Sequence, residues 1–424
     1  MHPSGSAITR RRLLGTAAGA VGAAALGHPL ASLAKPKPAP LFDHVVVVMM
    51  ENRSFDHFLG WRAGADGRQA GLRYPDRTGV LRPTHPLAPD YQGCGHPDPD
   101  HSYTGGRVEY DDGRCDGWLR AGDNDEYAIG YYTQRDLDFL GAAVPQWTTF
   151  SRYFAAILAE TYPNRIYQHA AQTDRITNTT ELCTLPTIWD RLADAGLTGR
   201  YYFSDVPFLA LWGAKYIPIS RPHGTFLSDC AAGTLPEVSF VDPRFEDESS
   251  GSSGDDHPHA DVRAGEAFME QVYRAVTTSP AWDRTVLLFN YDEWGGFFDH
   301  VAPSLAPITA ITRAAGDSDG RRGFRVPTLL VSPFARRDYV GTQVYDHTSV
   351  LKMIETRWGL PPLTVRDAQA NDLGAELRPG PPDVRAPQYD VPGGPFGLPC
   401  DAGPASEEEW SGLLELARST GWPV

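Results

Sequence analysis

DHVVVVMMENRSFDHFLG, residues Asp43 to Gly60, opens with an unbroken apolar run from Val45 to Met50. A continuous run, rich in β-branched valine and not alternating with polar residues, suits a central parallel strand covered on both faces. That strand must end at Glu51, because an acid, an amide and an arginine follow at once, with Asp56 and His57 close behind. Polar side chains therefore gather at the carboxyl end of a buried strand, where open α/β sheets place their sites.

The same logic recurs downstream. TVLLFNYDEWGGFFDHV (Thr285 to Val301) runs an apolar strand, Val286 to Phe289, into Asp292 and Glu293 and then into two glycines that permit close backbone approach. VPTLLVSPF (Val326 to Phe334) reads as a further buried strand, and Gly199 to Phe203 and Glu237 to Val241 as short ones. Helical periodicity falls on Leu185 to Ala195, Val262 to Thr277, Thr348 to Trp358 and Glu407 to Ala417. Strands alternating with helices predict an α/β fold, a mostly parallel sheet with helices on both faces.

Residues 1–34 read as an export signal of the twin-arginine type: TRRRLLG (Thr9 to Gly15), a small apolar run from Thr16 to Leu26, and a small-residue exit at Ser32 to Ala34. The run is well short of the roughly 20 residues that span a bilayer. No other stretch looks transmembrane. Residues 35–424 then form one catalytic domain, with a Gly-, Asp- and Pro-rich insertion at about 61–138 that suits the walls of a site. The formal charge is −15; losing Arg10, Arg11 and Arg12 with the signal makes it 35 − 53 = −18. Such a surface repels nucleic acid and anionic lipid. The five cysteines have no CxxC spacing; after export, Cys94 could pair with Cys115 and Cys183 with Cys230, leaving Cys400 free.

If the two apolar strands are parallel neighbours, Glu51, Asn52, Asp292 and Glu293 meet. Three crowded carboxylates need a cation or shifted pKa values. An all-oxygen set suits one hard divalent metal, Ca²⁺ first, with Mg²⁺, Mn²⁺ or Fe also compatible. In AETYPNRIYQHAAQTD, Pro163 marks a helix start and sets the Thr161 hydroxyl near free backbone N–H groups at the positive end of the helix dipole. HPDPDHSYTGG holds His96, Asp98, Asp100 and His101 and, taken alone, reads as a solvated turn; DESSGSSGDD (Asp247 to Asp256) reads as a flexible acidic loop leading into HPHADV. The Pro-rich stretch from Pro361 to Pro404 reads as a wrapping tail.

ENRSFDHFLG, TYPNR, the HP of HPHADV, YDEWGGFFDHV and YDHTSVLKMIE, in that order, resemble the bacterial phospholipase C and acid phosphatase family of phosphoesterases, to which plant non-specific phospholipases C are also similar. The resemblance spans Asp43 to about Trp358. It implies an alkaline-phosphatase-like α/β/α core and a hydroxyl nucleophile just before PNR, beside one metal. Carried over by motif, Glu51, Asn52, Asp292, Glu293 and Thr161 are the metal ligands, Thr161 the nucleophile, and His101 and His257 the catalytic histidines. This chain departs from the pattern in having threonine where many relatives have serine, DPDH in place of a DPPH-like motif, and Trp294 where several relatives have histidine. His57, His300 and His347 read as structural hydrogen-bonders.

The expected activity is that of a secreted, metal-dependent phosphoesterase working through a covalent phosphothreonine. The helix N–H groups, the metal and either Arg165 or a histidine would hold charge on the phosphoryl oxygens, and His257 would protonate the leaving group. The substrate is a phospholipid of the phosphatidylcholine type or a smaller phosphoester, with transient contact at a membrane surface and no nucleic acid. Trp294, Phe297 and Phe298 are read either as aromatic surface for an apolar or quaternary ammonium group or as core. A phosphomonoesterase is the alternative within the class, and a non-catalytic calcium-dependent binding protein the alternative outside it.

Overall fold

The computed structural model describes residues 41–400 and 407–424. The expected export segment lies outside these residues, whereas Pro40–Val424 clusters as one unit.

The valine run folds as β1, His44–Met50, with every residue from Val45 to Met50 buried. The other strands of the central sheet are β2 (Thr148–Phe150), β3 (Gly199–Phe203), β4 (Ser220–Pro222), β5 (Val238–Val241), β6 (Thr285–Tyr291), β7 (Thr328–Val331) and β8 (Tyr339–Gly341). Their order across the eight-stranded sheet is β8-β2-β7-β6-β1-β5-β3-β4. From β6 to β4 every pairing is parallel. β7 runs antiparallel to both neighbours, which the apolar pattern of VPTLLVSPF gave no means of reading. The fold is α/β with a mostly parallel central sheet.

The β1 and β6 register decides where the chemistry goes. Val48 lies opposite Phe289 and Met50 opposite Tyr291, so both strands finish at one level and release Glu51 and Asp292 side by side. Both strands are buried along their length, as the two-sided cover of a parallel sheet requires.

The main helices are α1 (Phe55–Leu59), α2 (Tyr103–Tyr110), α3 (Thr161–Ala170), α4 (Ile188–Asp194), α5 (His223–Ala232), α6 (Val262–Thr277), α7 (His347–Trp358) and α8 (Glu407–Ser419). α3 packs on α4 and α7, and α5 packs on α6, giving two helical groups over the sheet. Among the described residues no helix is long and apolar enough to cross a membrane.

Three expectations are corrected. The disulfide joins Cys94 to Cys400, while Cys115, Cys183 and Cys230 are buried thiols. The sequence-local pairing failed because the Pro-rich tail wraps back across the molecule: Leu398 N–H donates to Gln92 Oε1 at 3.0 Å, and the Val384 carbonyl accepts from the Trp282 indole at 2.9 Å. Asp247–Asp256 is not a mobile acidic loop either, since Glu248, Ser253, Asp255 and Asp256 are buried. Asp255 accepts from the Ser253 hydroxyl and the His257 backbone N–H, and Asp256 accepts from the Tyr291 hydroxyl at 2.6 Å. Trp294, Phe297 and Phe298 are core and not binding surface: all three are fully buried, Phe297 stacking on the His57 ring at 3.8 Å between centroids.

Candidate active site

Asn52 follows β1 in a left-handed conformation, φ 57°. This turn aims its backbone N–H at Asp292 Oδ1, 3.1 Å away, and lets its amide Oδ1 accept from Thr161 Oγ1 at 3.4 Å. The conformation also brings the Asn52 carbonyl so near Gly295 that a Cβ there would lie 2.0 Å from it, so YDEWGG needs glycine at that position. On the other side of the amide, Asn52 Nδ2 is 3.5 Å from His101 Nε2, whose Nδ1 lies 2.8 Å from the Pro99 carbonyl.

Thr161 is the first residue of α3 and is fully buried. Pro163 falls in the first turn, where a missing N–H costs nothing. Asn164 clamps the turn ahead of the helix: its Oδ1 accepts from Ile157 N–H at 3.0 Å and its Nδ2 donates to the Ala159 and Glu160 carbonyls at 2.8 and 3.0 Å. The TYPN motif thus fixes the threonine hydroxyl from both directions.

Arg165, one turn on, is buried and surrounded by acceptors. It reaches Asp292 through Nε at 3.1 Å, Glu51 through a terminal nitrogen at 3.1 Å and Asp242 at 3.3 Å, and it also donates to the Met49 and Met50 carbonyls. Nε serves Asp292, one terminal nitrogen Asp242, and the other faces Glu51 and both carbonyls. Rather than facing open space for a phosphoryl group, Arg165 gathers the carboxylates at the strand ends. Burial raises Asp242 and Asp292 above the usual carboxylate range, with Arg165 holding them down. Asp242 follows β5 as Glu51 follows β1 and Asp292 follows β6, a third strand-end acid that the same reading could have found.

His257 is buried beside two carboxylates. Its Nδ1 is 2.9 Å from the Pro258 carbonyl and 3.1 Å from Glu248 Oε2, while Nε2 has no hydrogen-bond partner among the described residues and lies 3.9 Å from Asp98. Burial pushes the imidazole down to about 4, against the pull of Asp98. One ligand atom each of Asp98, His101 and His257 lie within 4.8 Å of one another, as do those of Glu51, Glu248 and His257. The motif-derived residues are therefore assembled around the ends of β1 and β6, with Asp98 and Glu248 added.

Glu109, which carried no motif signal, ties two parts of the site together. It accepts from the Trp294 indole at 2.7 Å and from Asn124 Nδ2 at 3.3 Å, and Asn124 Oδ1 accepts the Asp100 N–H at 2.6 Å. One buried carboxyl thereby spaces the His101 loop from the Asp292–Glu293 strand end. His57, His300 and His347 are hydrogen-bonded to the Gly130 carbonyl, Asp56 and the Asp292 carbonyl respectively.

Residues 42–361 match the Phosphoesterase family. The chain belongs to that family. This phosphoesterase is a hydrolase acting on phosphoester bonds. It is 31% identical to phospholipase C B of Mycobacterium tuberculosis over 92% of its own length and 89% of the relative's. It is 29% identical to non-specific phospholipase C6 of Arabidopsis thaliana, covering 77% and 70% of the two chains. Among solved structures it is similar to an alkaline phosphatase superfamily protein from Vibrio parahaemolyticus, at 10% identity and a TM-score of 0.37 over 89% of this chain and 87% of that one. The family assignment stands on the sequence matches alone.

A metal fits the residues present. Glu51, Asp292 and Asp242 are buried carboxylates gathered around the single guanidinium of Arg165, a local excess of negative charge, and Glu293, the next residue after Asp292, is buried too. Glu51, Asn52, Asp292, Glu293 and Thr161 offer oxygen donors suited to a hard divalent cation.

Proposed function

We propose that this phosphoesterase is an exported phospholipase C that cleaves phosphodiester lipids of the phosphatidylcholine type, with the phosphoryl group carried transiently on Thr161. The observation that carries the reading is the buried Thr161 hydroxyl at the start of α3, 3.4 Å from the Asn52 amide at the carboxylate-lined strand ends. The relatives named phospholipase C support the diester substrate, and the twin-arginine pattern of residues 1–34 supports export.

Thr161 gives up its hydroxyl proton to solvent and its Oγ1 attacks phosphorus, while the glyceryl oxygen departs on the opposite side and takes a proton from His257 Nε2. Glu51, Asn52, Asp292, Glu293 and Thr161 would hold a divalent cation, whose positive charge would lower the hydroxyl pKa and offset charge on the phosphoryl oxygens. The positive end of the α3 dipole adds to that field. Glu248 and Asp98 favour the protonated imidazole, as does the arriving phosphodiester anion. In the second half-reaction neutral His257 accepts a proton from the attacking water, the bond from phosphorus to Thr161 Oγ1 breaks, Oγ1 takes a proton back from solvent, and the phosphorylated head group leaves. The neutral imidazole with an unpartnered Nε2 is the form that this half needs.

Ranking p-nitrophenylphosphorylcholine, phosphatidylcholine and p-nitrophenyl phosphate by kcat/KM tests the reading. The diesters are expected to lead. A tenfold preference for the monoester, about 1.4 kcal/mol of transition-state discrimination, would make the protein a phosphatase.

A further inference from the structure

A cavity of about 380 Å³ lies between the Phe245–Glu248 segment and the carboxy-terminal helix α8. Its aromatic wall is a stacked pair, Phe245 and Trp410, with ring centroids 4.0 Å apart and planes at 12°. This wall touches the reaction centre. Trp410 lies 5.5 Å from the ring of Tyr162, the neighbour of Thr161, and the Arg165 guanidinium sits 4.7 Å from the Phe245 centroid. Glu248, also lining the cavity, is the carboxylate 3.1 Å from His257 Nδ1. The cavity is therefore bounded by residues from both sides of the proposed phosphoryl site.

The chemistry of the lining is specific. Glu246, Asp247, Glu248 and Arg418 line it, Asp247 being paired with Arg244. Among the described residues the buried Trp410 indole N–H has no hydrogen-bond acceptor. An anionic head group would face the Glu246 and Glu248 carboxylates here. A quaternary ammonium has no N–H to satisfy and gains from aromatic faces and nearby carboxylates, an attraction that strengthens where water is excluded. The span also fits, because in a phosphocholine ester only a two-carbon link separates the phosphate from the ammonium.

We infer that this cavity is the subsite for the quaternary ammonium head of the substrate, so that α8 contributes Trp410 to specificity while the phosphoryl group lies at Thr161. The inference rests on the diesterase reading above. It also relocates the aromatic recognition expected at Trp294, Phe297 and Phe298, none of which lines this cavity.

The test compares two diesters differing only in the head group: p-nitrophenylphosphorylcholine and its uncharged carbon isostere, the 3,3-dimethylbutyl ester. Wild type is expected to favour the choline ester by about tenfold in kcat/KM. Trp410→Leu should bring that ratio to within twofold of unity, through KM for the choline ester. Trp410 is buried, so half-buried Glu246→Gln serves as the second variant, expected to cut the ratio about threefold. Phosphocholine should protect wild type against thermal unfolding more than it protects either variant. If wild type hydrolyses both diesters equally, or both variants keep the wild-type ratio, the subsite is wrong while the diesterase reading stands. If wild type hydrolyses neither diester but does hydrolyse p-nitrophenyl phosphate, the diesterase reading falls and takes the subsite with it.

Discussion

Replacing Arg165 by methionine removes five donors while keeping most of the side-chain length. Asp292, Glu51 and Asp242, at 3.1, 3.1 and 3.3 Å from the guanidinium, lose their shared cation at a site that water does not reach. Breaking a buried ion pair by removing one partner costs about 3–5 kcal/mol. With unfolding entropy of about 2.1 cal/mol/K per residue, a chain of this length should lose roughly 4–6 °C in melting temperature. The deficit must depend on pH. Burial already raises Asp242 and Asp292, and Arg165 opposes that rise, so in the variant their folded-state pKa values climb further above the unfolded ones. Groups with raised folded pKa values stabilise the fold when protonated, and that stability is lost as pH rises. The gap between variant and wild type should therefore narrow as pH falls from 8 to 5. Calcium should narrow it too, by replacing the missing charge. Calorimetric melts across that pH range provide the measurement; a variant within 1 °C of wild type at pH 8, or a gap that widens on acidification, would refute the organising role assigned to Arg165.

His257→Ala should depress hydrolysis of phosphatidylcholine, whose alkoxide needs a proton, at least tenfold more than that of p-nitrophenylphosphorylcholine, whose phenolate does not; equal losses would remove the acid role. Asp256, pushed up to about 7 chiefly by burial, carries stability present below its unfolded value and lost as pH rises toward 7, so Asp256→Asn should flatten the melting temperature between pH 5 and 8, and an unchanged slope would contradict it. Cys94→Ser should lower stability by about 2–5 kcal/mol in denaturant melts, because it releases a 306-residue separation closed by Cys94–Cys400; no change in midpoint would sink that expectation. Asp292→Asn and Glu51→Gln should each reduce bound metal in elemental analysis along with activity, and full metal content in both would show that the carboxylates were misread.

What was legible in the sequence was what local pattern determines. The unbroken Val45–Met50 run could only be a doubly covered strand, and the periodic stretch Val262–Thr277 is a helix of those bounds. The meeting of Glu51 with Asp292 followed once β1 and β6 were taken as parallel neighbours. What escaped depends on contacts distant in sequence. Glu248 sits among serines and glycines that read as a flexible loop, yet His257 holds it in the interior. Glu109 shows its purpose only when Trp294 and Asn124 reach it. The Cys94–Cys400 bridge required knowing the path of the Pro-rich tail, and Trp410 required knowing where α8 docks. Aromatic residues beside a motif carry no sign of which way they face, so Trp294, Phe297 and Phe298 were misplaced.

The central claim is that Thr161 carries the phosphoryl group, and mass spectrometry of the quenched enzyme tests it most directly. After acid quenching during turnover of p-nitrophenylphosphorylcholine, the peptide containing Thr161 should bear a phosphocholine adduct, absent from Thr161→Ala, which should be inactive yet melt near the wild-type temperature. An adduct on another residue, or an active Thr161→Ala enzyme, would contradict the account.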